Sequence, residues 1–274
     1  MPQLGFGVFQ IPPEETQERV EEALATGYRH VDTAAAYRNE AGVGAAIAAS
    51  GARREDVFVT TKLWNSEQGY DSTLRAFEKS IERLGTGHVD LYLIHWPVPS
   101  NDKYVETWQA FERLSAEGLT RAIGVSNFTI PHLRRLLAET STVPSVNQIE
   151  LHPGFQQVAL RDFHADHGIV TEAWSPLGQG AALGHPVVVD LARKHGKTPA
   201  QIVLRWHIDI GNVVIPKSVT PHRIRENIDV FDFELTTDDM RLLEHLDTGR
   251  RIGPDPESVG VRPSGFSTQI DQAL

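Results

Sequence analysis

Eight short runs rich in β-branched and aromatic residues recur along the chain, separated by stretches whose apolar positions fall three or four apart. The runs are LGFGVFQI from Leu4, YRHVDT from Tyr28, DVFVTTKL from Asp56, DLYLIHWP from Asp90, AIGVSNF from Ala122, SVNQIELH from Ser145, IVTEAWSPL from Ile169 and VVIPKSV from Val213. Short runs alternating with helical patterns predict βα units and a parallel sheet. Runs apolar at every position, such as LYLI, suit a sheet buried on both faces. The segments PEETQERVEEALATG and STLRAFEKSIERLG each end in a glycine, as a helix that stops in a left-handed residue does. Eight strands close a barrel, so the pattern predicts a (β/α)8 TIM barrel, with an open doubly wound sheet as the alternative.

Two details refine that picture. HPVVVDLARKHGKTPAQIVLRWHIDIG carries two helical patterns before the last strand, which predicts an extra short helix near strand seven. TTDDMRLLEHLD predicts a final helix with threonine at its cap and acids in its first turn. Beyond it, RRIGPDPESVGVRPSGFSTQIDQAL has no period, and a loop is expected that becomes an irregular tail over about 259–274. No linker or repeat divides the chain, so residues 1–274 read as one barrel domain.

Composition narrows the function. Twenty-six basic against 36 acidic residues give a formal charge of −10, which argues against a nucleic-acid or anionic-membrane partner. There is no 18-residue apolar run and no basic-then-apolar start, so a soluble, cytoplasmic protein is expected. With no cysteine, disulfides and thiolate metal sites are excluded. His164 and His167 are three apart on a helical stretch but have no third ligand nearby, and no metal is expected. A closed barrel leaves no sheet edge to pair, so a monomer is expected.

In a barrel the C-terminal strand ends face the active site. Here they carry Asp32, Lys62, His95, Ser126 with Asn127, Gln148, Ser175, and Lys217 with Ser218. Each alone has an ordinary explanation as a cap, a satisfied polar residue or a solvated charge; seven such ends aimed at one rim are harder to explain that way. Tyr37 follows Asp32 by five residues. A phenol with pKa about 10 would need roughly 4 kcal/mol to move by about 3 units. An ammonium about 4 Å away at an effective dielectric near 20 supplies about that. The expectation is therefore that Lys62 lowers the Tyr37 pKa, Asp32 holds Lys62 charged, and His95 orients a substrate oxygen.

No G-x-G-x-x-G follows a strand, so a Rossmann site has no motif. PKSVTPHRIREN instead places Lys217, Ser218 and Arg223 around a helix beginning near Pro221, where barrels commonly hold phosphate. Trp64 and Trp96 each follow a strand-end candidate, and with Phe9 they suggest an aromatic pocket. Trp108 and Trp206, on helices, read as core.

Taken together, VDTAAAYRNE, TTKLW, IHWP, GVSNF, NQIELHP, SPLGQG and PKSVTPHRIREN resemble the aldo-keto reductases in order and spacing, from about Leu4 to Asp247. Within that family the chain is similar to bacterial 2,5-diketo-gluconate reductases and prostaglandin F synthase-like reductases. The resemblance implies NADPH and hydride transfer to a small carbonyl substrate, with Tyr37 as proton donor, Lys62 and Asp32 as its tuning pair, and His95 as orienter. It further implies that Ser126, Asn127 and Gln148 hold the carboxamide and that Trp174 stacks on the nicotinamide. Ser175, Leu177, Gly178 and Gln179 would follow the pyrophosphate. Lys217, Ser218, Val219 and Arg223 would surround the 2′-phosphate, with Glu226 and Asn227 near adenine, and Phe9, Trp64 and Trp96 against substrate. The family's usual hairpin before the first strand has no counterpart in MPQLG, so a barrel floor without that plug is expected. Two other functions use the same residues differently: a nicotinamide-binding redox sensor on the same barrel, and a phosphate-handling lyase or isomerase.

Overall fold

The computed structural model describes residues 1–261, and its order of elements follows the hydrophobic pattern closely. Eight parallel strands pair in sequence order: β1 (Phe6–Gly7), β2 (His30–Asp32), β3 (Phe58–Leu63), β4 (Val89–Ile94), β5 (Thr120–Ser126), β6 (Val146–Glu150), β7 (Val170–Trp174) and β8 (Val213–Val214). Backbone bonds then join the ends of the sheet. Gly5 N donates to Val214 O at 2.8 Å, Val214 N to Gln3 O at 2.9 Å, and Gly7 N to Pro216 O at 3.1 Å. The sheet is a barrel, and the open alternative is set aside. Among the described residues no strand precedes β1; Leu4 itself bridges to Val214.

Among the described residues ten helices surround the strands: α1 (Pro13–Thr26), α2 (Glu40–Ala49), α3 (Tyr70–Leu84), α4 (Tyr104–Ala116), α5 (Ile130–Glu139), α6 (Val158–His167), α7 (Pro186–His195), α8 (Pro199–Asp209), α9 (Pro221–Ile228) and α10 (Thr237–Glu244). The doubled helix between β7 and β8 is α7 with α8. At α10 the threonine cap is Thr236, whose side chain accepts from Asp239 N while Asp239 returns a bond to Thr236 N. α1 ends where Gly27 turns to φ 116°, a conformation a Cβ would resist.

The core has two layers. Between strands and helices, Tyr92 stacks on Phe111 with ring centroids 4.4 Å apart, and Trp108 and Trp206 are fully buried, as expected. Inside the barrel wall, Leu91, Leu93 and Val146 form a separate small apolar cluster. Polar groups fill much of the rest. His30 and Asp32 of β2, Thr60 and Lys62 of β3, Gln148 of β6 and Glu172 of β7 are all buried. The register that sets Asp32 beside Thr60 and Gln148 beside Glu172 stacks these groups below one rim.

α2 approaches α3 at Gly44, where a Cβ would lie 2.0 Å from the carbonyl oxygen of Leu84. Backbone cannot rotate away as a side chain can. Gly44→Ala is therefore expected to destabilise the fold by about 1–3 kcal/mol through forced separation of these helices. Urea unfolding measures this, and an unchanged midpoint would show that α2 can slide freely.

Candidate active site

Asp32 is the last residue of β2, and three alanines follow Thr33 before Tyr37. A short 3-10 turn, Ala35–Tyr37, closes with Arg38 at φ 59° and folds the phenol back over the strand ends. Lys62 rises from β3 beneath it, wholly buried. Its Nζ donates to Asp32 Oδ1 at 2.6 Å and to the carbonyl of Thr33 at 2.9 Å, and lies 5.1 Å from the Tyr37 ring centroid. Asp32 Oδ2 accepts from Gln148 Nε2 at 2.9 Å. Desolvation works against the ammonium, but Asp32 and Tyr37 outweigh it and raise the Lys62 pKa, so the cation persists.

The expected lowering of the Tyr37 pKa does not occur in this structure. Burial pushes the phenol up, Lys62 pulls it back by charge and hydrogen bond, and Asp32 pushes up again, leaving it at about 12. The sequence estimate weighed the lysine and omitted the loss of water around a phenolate. Tyr37 consequently carries its proton at neutral pH. His95, from the end of β4, is held neutral: burial first and Lys62 second take its pKa well below 6.5. Its ring stands edge-on to Tyr37 at 5.7 Å and to Trp64 at 5.3 Å, and Phe9 packs on Tyr37 at 5.0 Å.

These groups line a cavity of about 330 Å³ at the C-terminal end of the barrel. Phe9, Asp32, Tyr37, Trp64, His95, Trp96, Ser126, Asn127, Gln148, Trp174, Ser175, Gln179 and Lys217 all reach its wall, and Lys62 lies beneath it. Seven expected residues do not line it. Leu177 packs on the main core and Gly178 against His152. Ser218 accepts from Thr220 N at 3.1 Å, and Val219 is exposed beside it. Arg223 is exposed on the first turn of α9. Glu226 accepts from Thr198 Oγ1, the cap of α8, at 2.6 Å, and Asn227 is buried next to it. His164 is held by Asn147 and Thr171 at 2.9 and 2.8 Å, a structural role.

Asn127 organises the rim. Its Nδ2 donates to the His95 carbonyl and to Ser126 Oγ, both at 3.0 Å, while its Oδ1 accepts from Trp174 Nε1 at 2.8 Å. The residue holds φ 64°, and Ser175 at 48°, Gln179 at 53° and Val98 at 46° share the left-handed region. Such conformations cost about 1–3 kcal/mol each and persist only where the surroundings impose them.

Sequence reading missed Gly7, Gln10, Ala36, Pro176 and Ile215 on the wall, and above all Ile252, Gly253 and Pro254. The segment after α10 is irregular, as expected, yet up to Val261 it is no loose end. Glu150, at the end of β6, accepts from Ile252 N at 2.6 Å and Gly253 N at 2.8 Å, with His152 Nε2 at 3.2 Å. Gly253 presses on Trp174, where a Cβ would stand 2.4 Å from Cη2. Val259 joins Trp96 and Val98, and Asn65 donates to the Gly260 carbonyl at 3.2 Å. The segment thus straps the cavity. The part of the expected tail from 262 to 274 lies outside the described residues.

A parallel barrel with a phenol, a buried lysine–aspartate pair and a neutral imidazole at its rim defines a class of barrel oxidoreductases. The chain belongs to the Aldo/keto reductase family, whose model matches residues 3–248. It is 60% identical over 258 residues to an aldo-keto reductase of Mycolicibacterium smegmatis, covering 94% of each chain. It is 52% identical over 262 residues to the methylglyoxal reductase DkgA of Escherichia coli, covering 95% of this chain and 94% of the relative. Among solved structures, a variant of Gox0644 in complex with NADPH superposes with a TM-score of 0.91 at 53% identity, covering 94% of each chain.

Burial alone would push the Glu150 carboxyl up, but His152 and the two strap amides hold its pKa below the usual range. Glu150→Gln leaves a single acceptor for two amides. Losing one charged hydrogen bond, about 1.5–3 kcal/mol, should populate strap opening roughly 10- to 150-fold more. Tryptic cleavage at Arg250 and Arg251 should accelerate accordingly, with circular dichroism unchanged. Equal cleavage rates would show that the strap is held by other contacts.

Proposed function

We propose that the chain reduces the carbonyl of small aldehydes, dicarbonyls and keto-sugars to alcohols, with NADPH as reductant. The observation that carries this reading is the Tyr37 phenol, protonated and packed in the cavity wall against the buried Lys62–Asp32 pair. The relatives support it, one being a methylglyoxal reductase and another a structure holding NADPH. The aromatic walls from Phe9, Trp64 and Trp96 suit a compact substrate with few charges.

The residues present fit a nicotinamide nucleotide. One end of the cavity offers the indole of Trp174, fixed by Asn127, beside the amide of Gln148 and the hydroxyl of Ser126. The wall also offers Lys217, and Arg223 stands exposed on the first turn of α9. On this reading Ser175, Leu177, Gly178 and Gln179 flank the pyrophosphate, Ser218 and Val219 join the cations at the 2′-phosphate, and Glu226 and Asn227 lie near adenine. NADPH, when bound, supplies the hydride that the carbonyl carbon requires. The chain supplies the rest. The neutral His95 donates a hydrogen bond that orients the carbonyl oxygen, and Tyr37 gives that oxygen its proton. An alkoxide is a far stronger base than a phenolate, so a phenol of raised pKa still transfers its proton downhill once negative charge develops. Lys62 stabilises the phenolate left behind, and Asp32 keeps Lys62 charged and in place.

Tyr37→Phe keeps the ring and removes the proton. Turnover of methylglyoxal is expected to fall by about 10² to 10⁴, with NADPH affinity nearly unchanged. Full activity in that variant would refute Tyr37 as the donor. Arg223→Ala should cost NADPH one charged contact, weakening it roughly 10- to 150-fold and leaving NADH nearly unaffected. Equal effects on both cofactors, in a fluorescence titration of the purified variant, would return Arg223 to a surface role.

A further inference from the structure

The carboxyl group of Glu172 is wholly enclosed inside the barrel and takes no part in the chemistry described above. It stands on β7 in register with Gln148 of β6, and its Oε2 accepts from Gln148 Nε2 at 2.9 Å. The same nitrogen donates to Asp32 Oδ2, also at 2.9 Å. Glu172 Oε1 has no hydrogen-bond partner among the described residues; His30 Nε2 is 3.8 Å away and is engaged by Thr60 Oγ1 at 3.0 Å. The titratable and charged groups that act on it are His30 and Asp32 from β2, Lys62 from β3 and, above them, Tyr37; Gln148 on β6 and Val213 on β8 are its register neighbours.

We infer that Glu172 is a positioning residue, which shares the Gln148 amide with Asp32 and so pins that amide at the cavity wall from a second side. The inference rests on the nicotinamide reading of the site. A glutamine amide has two N–H donors and one acceptor oxygen. With one proton given to each carboxyl group, turning Gln148 over would set its oxygen against Asp32, an ionised carboxylate that can only accept. The Gln148 Oε1 is then the polar atom left for the cavity it lines, and the wall offers an acceptor at that point. Without Glu172 the second N–H would have no carboxyl partner and the amide would be held from one side only.

Charge balance explains how two carboxyl groups share one nitrogen. Lys62 neutralises Asp32, so an ionised Glu172 would leave a net negative charge in a space closed to water. Burial, then the charge of Asp32, raise the Glu172 pKa to about 8, while burial and Lys62 lower that of His30 to about 3. At neutral pH both are uncharged. As pH rises through about 8, Glu172 loses its proton and a negative charge appears one hydrogen bond behind the cavity wall. That charge favours a cationic ring over a neutral one, so the oxidised cofactor should gain on the reduced one in alkali.

The test uses the full chain and three ligands: NADPH, NADP⁺ and adenosine 2′,5′-bisphosphate, which lacks the nicotinamide. Each is titrated at pH 7 and pH 9 into wild type, Glu172→Gln and Glu172→Leu. In wild type the preference for NADP⁺ over NADPH should rise about threefold to tenfold between the two pH values. Glu172→Gln should abolish that rise and keep NADPH binding at pH 7 within about twofold, because a neutral amide still accepts from Gln148. Glu172→Leu should weaken NADPH about tenfold or more and leave the bisphosphate unchanged. NADPH and bisphosphate weakened equally, or neither weakened, would overturn the inference. So would a pH effect that survives in Glu172→Gln, a result available even if the leucine variant fails to fold. Wild type that bound the bisphosphate but showed no preference for NADPH over it would overturn the nicotinamide reading and this inference with it. The variant results bear on Glu172 alone.

Discussion

The ion pair between Lys62 and Asp32 is the constraint around which the rest of the site is arranged. An ammonium fully removed from water is tolerated only with close compensation, and here it has a carboxylate at 2.6 Å and a backbone carbonyl at 2.9 Å. To keep that geometry, β3 must run past the end of β2: the register sets Asp32, the last residue of β2, beside Thr60, with Lys62 one pleat further on. The clustered apolar filling of the barrel interior comes from Leu91 and Leu93 of β4 and Val146 of β6. Much of the rest is given over to polar groups. An interior of this kind trades some packing for a fixed electric field, and the field is what a phenol and an imidazole need in order to hold defined protonation states.

Burial works towards the uncharged form at both groups. Burial and the lysine together keep His95 neutral, and burial keeps Tyr37 protonated against the pull of the same lysine. On the proposed mechanism, the resting site is thus a neutral hydrogen-bond donor beside a loaded acid. Nothing has to be rearranged before a proton is needed, because the groups already stand in the state that receives developing negative charge.

Much of this was legible in the sequence, for reasons that can be named. All eight strand runs became strands, since a run apolar on both faces has few other fates in a chain this size. The doubled helix before β8 and the Thr236 cap were equally plain. Thirteen of the expected site residues reached the cavity wall because strand ends in a parallel barrel must converge. Three things were not legible. The sign of the Tyr37 shift depends on how completely water is excluded, which no spacing reveals. The strap at Ile252 to Pro254 depends on a carboxylate more than a hundred residues earlier, and an aperiodic stretch rich in Gly and Pro carries no sign of that partner. Glu172 was hidden inside IVTEAWSPL, where an acid in a strand reads as solvent-facing until the barrel closes around it. Arg223, read from the helix start near Pro221, and Glu226, carried by resemblance, lie beside the cavity and not on it, the second already engaged with the cap of α8.

The seam of the barrel has a consequence for how the chain is made. Gln3 and Gly5 find their partner only at Val214, about two hundred residues later, so at ordinary synthesis rates of about 5–20 residues per second the wall stays open for roughly 10–40 seconds. A long apolar strand waiting at that margin would invite pairing with other nascent chains. β1 is two residues long, and β8 matches it. The brevity that makes the seam the least extensively paired part of the wall also denies a template to strangers, so the last join to form is the one least able to form wrongly.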